Sequence, residues 1–273
     1  MDYSQYSLAK TGYLKEDFRL FHINDRTDRE FEWHYHDFHK VVIFISGKAA
    51  YHIEGKAYHL KPQDILLVSQ GAIHKPEIDP AVPYERYIFW LREDLSRPEL
   101  NTCFQKANDR SFNLVRLDSA LQERLKDLLP EIEQSLRGDQ FGDNFLSEAL
   151  FTQFMVYINR IFLKSSPDRK SYSSDSQVEQ LLKYINRNLA EDLSIDSLAG
   201  KFFFSKYHMM RKFKEETGYT IHNYIVSKRL LHARSLVSQG TPIMKAAQMS
   251  GFRDYTTFVR AYKKQFGTVP TQR

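Results

Sequence analysis

An internal repeat near the carboxyl end constrains this chain more than any other feature. The pattern Arg211-x-Phe213-Lys214-x3-Gly218 recurs as Arg260-x-Tyr262-Lys263-x3-Gly267, 49 residues later at every position. Self-similarity at a fixed offset marks one supersecondary unit used twice. Six residues before each Arg stands a helix N-cap candidate, Ser205 and Asp254. Upstream of each cap the pattern predicts a short helix, over 195–203 behind Ser194 and over 243–250 behind Thr241-Pro242. Each unit therefore reads as short helix, tight turn, second helix. Gly251 lies in the second turn, with Phe203 near the first. Ala199 and Ala246-Ala247 let paired helices cross closely, and Phe213 and Tyr262 are the expected buried anchors.

Between the units runs a helical stretch, 220–239, that Thr220 caps and Gly240 stops. Twenty residues at ~1.5 Å each make a rod of ~30 Å, against ~34 Å for one turn of duplex DNA. A rod of that length holds two helices in successive major grooves on one face of the duplex. Charge agrees. The chain is +5 overall, but residues 1–175 sum to −4 and residues 176–273 to +9, so a surface for an acidic partner belongs to the last third.

Over about 177–273 the sequence resembles the AraC/XylS family of transcription regulators. The resemblance rests on Leu198-Ala199, Ser205, Arg211, Phe213-Lys214, Gly218, Tyr224, Arg229-Leu230, Ala233, Ile243, Ala247, Gly251-Phe252, Asp254, Phe258, Arg260, Lys263-Lys264, Gly267 and Pro270. It implies that the second helix of each unit, over 205–216 and 254–265, enters the major groove of promoter DNA. By position Lys206, Tyr207, Met210 and Arg211 are the first set of base-facing candidates, and Tyr255, Thr256, Val259 and Arg260 the second. Arg211 is the strongest, because guanidinium reaches guanine O6 and N7 with two hydrogen bonds. Lys212, Lys214, Lys228, Lys263 and Lys264 are expected on phosphates, giving affinity and salt dependence without sequence reading.

The first half has a different grammar. Short β-branched and aromatic segments over 39–46, 50–54, 57–60, 64–69, 73–78 and 84–91, separated by Gly47, Gly55 and Gly71, predict a small antiparallel barrel. Apolar residues at helical spacing follow, in the sets Leu121, Leu125, Leu128, Leu129, Ile132 and Phe145, Leu146, Ala149, Leu150, Phe154, Ile158. Two such helices form a hairpin whose outer apolar face suits dimerisation. The polar stretch 165–176, with six Ser and no aliphatic side chain, reads as an exposed linker. The expected fold is α+β and multidomain: a barrel with flanking helices, then an all-α double helix-turn-helix. The boundaries are 1–117 for the barrel, 118–164 for the dimerisation helices packed on it, 165–176 for the linker and 177–273 for the DNA-binding domain.

Over about 30–92 the chain also resembles the cupin-type ligand domain of the same family, through His34-Tyr35-His36-x3-Lys40, Gly47, Gly55, Lys61-Pro62-Gln63-Asp64 and His74. Metal-binding cupins carry Glu where Lys40 stands, and an ammonium repels a divalent cation, so no metal and no cofactor is expected. His34, His36, His74, Arg86 and Tyr87 are the candidate effector contacts. Trp33, Tyr35, Tyr51, Tyr87 and Trp90 near the presumed mouth suit a sugar or small aromatic molecule.

No Ser/His/Asp or Cys/His spacing and no phosphate-cradling glycine loop points to an enzyme. A lone Cys103 excludes a disulfide scaffold. The first residues lack the basic-then-apolar pattern of a secretory signal, and no apolar run approaches the ~20 residues of a membrane span. The expectation is a cytoplasmic homodimer that binds promoter DNA, a small effector and RNA polymerase. The alternatives are a metal-dependent cupin enzyme with a DNA-tethering tail and an effector-independent regulator.

Overall fold

A computed structural model describes residues 14, 16–26, 30–92, 95, 97–110, 112–164, 172–174 and 176–271. The chain divides into two compact units, residues 1–53 with 57–173 and residues 54–56 with 174–273.

The first unit is built on two antiparallel sheets. Its strands are β1 (Phe18–Asp25), β2 (His39–Ser46), β3 (Ala49–Ile53), β4 (Lys56–His59), β5 (Asp64–Val68), β6 (His74–Ile78), β7 (Tyr84–Leu91), β8 (Leu114–Arg116) and β9 (Tyr172–Ser174). One sheet has the order β1-β7-β2-β5-β8 and the other β6-β3-β4-β9. The run HKVVIFIS makes β2 because it is β-branched and buried on both faces. It pairs with β5 and β7 and so forms the middle of the larger sheet. Gly47 follows at φ +115, where a Cβ would lie 2.6 Å from the Pro83 carbonyl oxygen, so only glycine fits.

Period two divides β7. Tyr87, Phe89 and Leu91 face the helices α1 (Thr102–Arg110), α2 (Ser119–Ser135) and α3 (Asp143–Lys164). They share one core with Val41, Ile43, Leu128, Leu129, Phe154 and Ile158. Residues of opposite parity on these strands, including Lys40, Arg86 and Trp90, face the other way, into the barrel. Leu136 and Phe141 in the connection between α2 and α3, and Phe145 and Leu146 in the first turn of α3, are exposed.

Four elements depart from expectation. Spacing alone does not give strand β1, strand β8 or helix α1: β8 is only three residues long, and α1 has only Cys103, Phe104 and Ala107 as apolar residues. Part of the expected linker is strand β9, where Tyr172 packs its ring on Tyr58 and Phe112; most of 165–176 lies outside the described residues.

The second unit is helical: α4 (Ser176–Arg187), α5 (Ile195–Phe202), α6 (Lys206–Thr217), α7 (Ile221–Ser238), α8 (Ile243–Met249) and α9 (Tyr255–Phe266). The 18 residues of α7 make a rod of ~27 Å. Its Leu230 and Ala233 join Ala247, Phe252, Phe258, Tyr262 and Phe266 in one core, and Tyr224 meets Phe213 edge-on at 5.4 Å. No helix of the described residues is long and apolar enough to cross a membrane.

Candidate functional site

The repeat is structural as well as sequential. Helices α6 and α9 are each 12 residues long and begin and end 49 residues apart. Ser205 caps the first by accepting from the His208 amide, and Asp254 the second by accepting from the Thr257 amide at 2.6 Å. The bonds from Thr257 hold the Asp254 carboxyl below its usual range. Gly218 and Gly267 end the helices in the left-handed region, at φ +72 and +75. Met209 and Phe213 in α6, and Phe258 and Tyr262 in α9, are buried. That burial fixes the rotation of both helices and turns the intervening residues outward.

Of the thirteen candidates for DNA contact, Lys206, Tyr207, Met210, Arg211, Lys214, Tyr255, Thr256, Arg260, Lys263 and Lys264 are exposed. Lys212 and Lys228 are half-buried, and so is Val259, which leans on the core around Phe258 and therefore offers less of its side chain to a partner. Tyr207 is 74% exposed. Arg211 donates to Glu215 at 2.9 Å. Lys206 pairs with Asp196, and Arg260 forms no ion pair among the described residues.

The turns explain how the helices are set. Gly251, at φ +89, sits against the Leu189 carbonyl, 2.2 Å from where a Cβ would be. Arg229 donates to that same carbonyl and to Glu191 O, both at 2.8 Å. In the first unit Phe203 itself adopts the left-handed conformation, φ +55, and its ring is 94% exposed. Sequence reasoning left Phe203 out of the contact set; a bulky residue at the turn, where its twin unit uses glycine, was the available signal.

In the barrel, the backbone of His34 and His74 forms an antiparallel bridge, His34 N to His74 O at 3.1 Å and His74 N to His34 O at 2.9 Å. Opposed residues of such a bridge share a face, and His36 lies two residues on, so all three rings meet. Ring centroids are 4.3 Å apart for His34 and His74, 4.9 Å for His34 and His36, and 5.1 Å for His36 and His74. Tyr51 stacks on His74, and Trp90 closes on His36 and Phe38. Burial, then the charge of Lys40, lowers His34 to about 4 and holds His36 and His74 well below the usual imidazole range, so the rings are neutral at pH 7.

Lys40 is buried beside them and donates to the Tyr51 hydroxyl at 3.2 Å. Burial, with Arg86 adding to it, pushes Lys40 down to about 7. Tyr51 is one of the aromatics expected near the mouth, whereas Lys40 is not among the expected contacts, since a buried lysine has no pattern of its own. Arg86 is engaged by Asp25 and the Tyr84 carbonyl. His39 points to the opposite face, stacked on Phe104, with Nδ1 accepting from the Gln70 amide.

Tyr87 is not with the histidines. It faces the helices, stacked on His22, and lines a cavity of about 190 Å³ with Ile43, Ile45, Leu125 and Leu129. The five candidates thus divide: the three histidines meet inside the barrel, Arg86 lies on the inner face of β7, and Tyr87 lies on its outer face.

The AraC-like ligand binding domain model matches residues 19–155, half of the chain, and a helix-turn-helix domain model matches residues 198–273. The chain belongs to the AraC/XylS family of transcription regulators. Among its curated relatives is the HTH-type transcriptional activator RhaR of Mannheimia succiniciproducens, 24% identical over 249 residues, covering 89% of this chain and 86% of the relative. The HTH-type transcriptional activator RhaS of Citrobacter koseri is 24% identical over 245 residues, with 88% and 86% covered. Among solved structures, apo ToxT from Vibrio cholerae is similar with a TM-score of 0.40 at 13% identity, over 94% of this chain and 96% of that one. As a member of this family the chain is a regulator with a ligand-binding domain and a helix-turn-helix domain, and not an enzyme.

Proposed function

We propose that this protein is a sequence-specific transcription activator that reads promoter DNA through α6 and α9 and responds to a small effector held in the N-terminal barrel. One observation carries the DNA reading: two helices of equal length, capped and anchored at matching positions, expose Arg at the same position before and after one stiff helix. In this reading Arg211 and Arg260 contact base edges, Tyr207, Met210, Tyr255, Thr256 and Val259 fill in around them, and Lys206, Lys212, Lys214, Lys263 and Lys264 neutralise phosphates. The names of the curated relatives support activation as the output, which engages RNA polymerase at the promoter, in the cytoplasm.

Neutral imidazoles beside Trp90 and Tyr51 suit hydroxyl-bearing ligands such as a sugar, which donates hydrogen bonds to ring nitrogens and stacks on aromatic faces. The effector contacts are His34, His36, His74 and Arg86. Exposed Phe141, Phe145 and Leu146 on the α2–α3 hairpin support a homodimer. Effector control then requires unequal affinity for two states of the dimer.

The test is promoter binding by the full chain with Arg211→Ala and Arg260→Ala. Each loses about 1–3 kcal/mol of specific binding and relaxes specificity at its own base position. Unchanged specific binding in both variants refutes the groove assignment.

A further inference from the structure

The three histidines of the barrel are arranged as donors rather than as packed aromatic filler. His34 and His74 each direct Nδ1 onto a backbone carbonyl two residues upstream, Glu32 O at 2.7 Å and Ala72 O at 2.9 Å. A carbonyl only accepts, so Nδ1 carries the proton in both rings and Nε2 is left with its lone pair. That is the tautomer, and the kind of supporting hydrogen bond, that imidazole uses to ligate a metal. His74 Nε2 and His36 Nδ1 are buried with no hydrogen-bond partner, although buried nitrogens normally find one. One nitrogen from each of the three rings lies within 4.8 Å of the other two. A cation held between the three rings takes up the lone pairs that these nitrogens leave unused.

We propose that His34, His36 and His74 bind one divalent transition-metal ion. Three neutral nitrogen ligands and no carboxylate in the group select Zn²⁺, Co²⁺ or Ni²⁺ over Mg²⁺ and Ca²⁺, which require oxygen. The Lys40 ammonium near the group, held on Tyr51, opposes the cation. It makes the ion exchangeable rather than structural and draws an anionic or strongly polar group to the open coordination position. The proposal rests on the reading of this end of the barrel as ligand-receiving, but it is tested without effector or DNA.

The experiment is equilibrium dialysis of the full-length chain, freed of any polyhistidine tag and stripped with chelator, against Zn²⁺ alone, with Co²⁺ absorption spectra as the second readout. The expected result is one ion per chain and a Co²⁺ d–d spectrum. His34→Ala, at a partly exposed position that leaves the fold intact, weakens binding at least tenfold, and His74→Gln does the same. His52→Ala, whose imidazole pairs with Glu77 outside the group, stays within twofold of the parent. Lys40→Met, by removing the opposing charge, binds Zn²⁺ more tightly. A chain that takes up no stoichiometric ion, or that binds Zn²⁺ equally with and without His34, overturns the proposal. Loss of effector response in a chain that still binds Zn²⁺ counts against the effector reading alone.

Discussion

Three glycines of the helical unit give a graded test of how the turn before α9 is held. Gly251→Ala places a methyl 2.2 Å from the Leu189 carbonyl oxygen and 2.8 Å from Arg229 Nε, at φ +89. The carbonyl is backbone and cannot swing away, so the hydrogen bonds from Arg229 to Leu189 and Glu191 are lost or stretched. The left-handed backbone costs about 1–2 kcal/mol for a non-glycine residue, and one charge-assisted hydrogen bond about 1.5–3 kcal/mol. The sum is about 2.5–5 kcal/mol. Gly240→Ala has a similar φ, +90, but nothing within 4 Å, so it costs the backbone term alone, about 1–2 kcal/mol. Gly200→Ala is helical with open space around it and stabilises by roughly 0.5–1 kcal/mol. For a unit of this size the first corresponds to a fall in Tm on the order of 12 °C or more. Thermal denaturation of the full chain followed by far-ultraviolet circular dichroism ranks the three, and promoter binding should fail first in Gly251→Ala. If Gly251→Ala costs no more than Gly240→Ala, the contact between this turn and Arg229 does not set the second recognition helix.

The remaining predictions follow from charge. Glu215→Ala frees Arg211 from an exposed ion pair that is worth at most ~1 kcal/mol, so DNA affinity rises severalfold at most; a drop would mean that the pair positions Arg211 for the groove. Lys263→Ala with Lys264→Ala should flatten the dependence of log K on log salt by about 1 per lysine, measured by fluorescence anisotropy, while leaving sequence preference unchanged. His39 sits at about 3 when folded, against 6.5 unfolded, because burial penalises its charged form. Its contribution to stability is therefore complete above pH 6.5 and is lost as pH falls toward 3, about 2 kcal/mol by pH 5. His39→Gln keeps an acceptor for the Gln70 amide and removes that loss; urea unfolding at pH 7 and pH 5 checks it, and equal losses in parent and variant contradict it.

The helical unit was legible in the sequence because its constraints are local and written twice. Caps at Ser205 and Asp254, stops at Gly218 and Gly267, and anchors at Phe213 and Tyr262 each act within one helix, so residue spacing suffices to find them. The barrel strands β2 and β7 were legible for a similar reason, since both are dense in β-branched and aromatic residues. What spacing could not supply was which face a side chain takes in a sheet assembled from distant segments. Arg86 and Tyr87 are neighbours in sequence and point to opposite faces of β7. His74 and His34 are 40 residues apart and meet through a two-residue backbone bridge. Strand β9 escaped notice because a serine-rich stretch with one tyrosine has no periodicity, and its place is fixed by Tyr58 and Phe112 instead. Lys40 argued against a cation when only the family pattern was visible; the geometry adds two carbonyl-fixed imidazole tautomers that the pattern does not encode.

For α6 and α9 to read DNA together, both must face one side of the duplex about one helical turn apart. Hydroxyl-radical footprinting of the full chain on its promoter measures this directly. Two protected patches centred ~10 bp apart on one face of the DNA are expected, with binding lost when 5 bp are inserted between them. A single protected groove, or binding indifferent to that insertion, contradicts it.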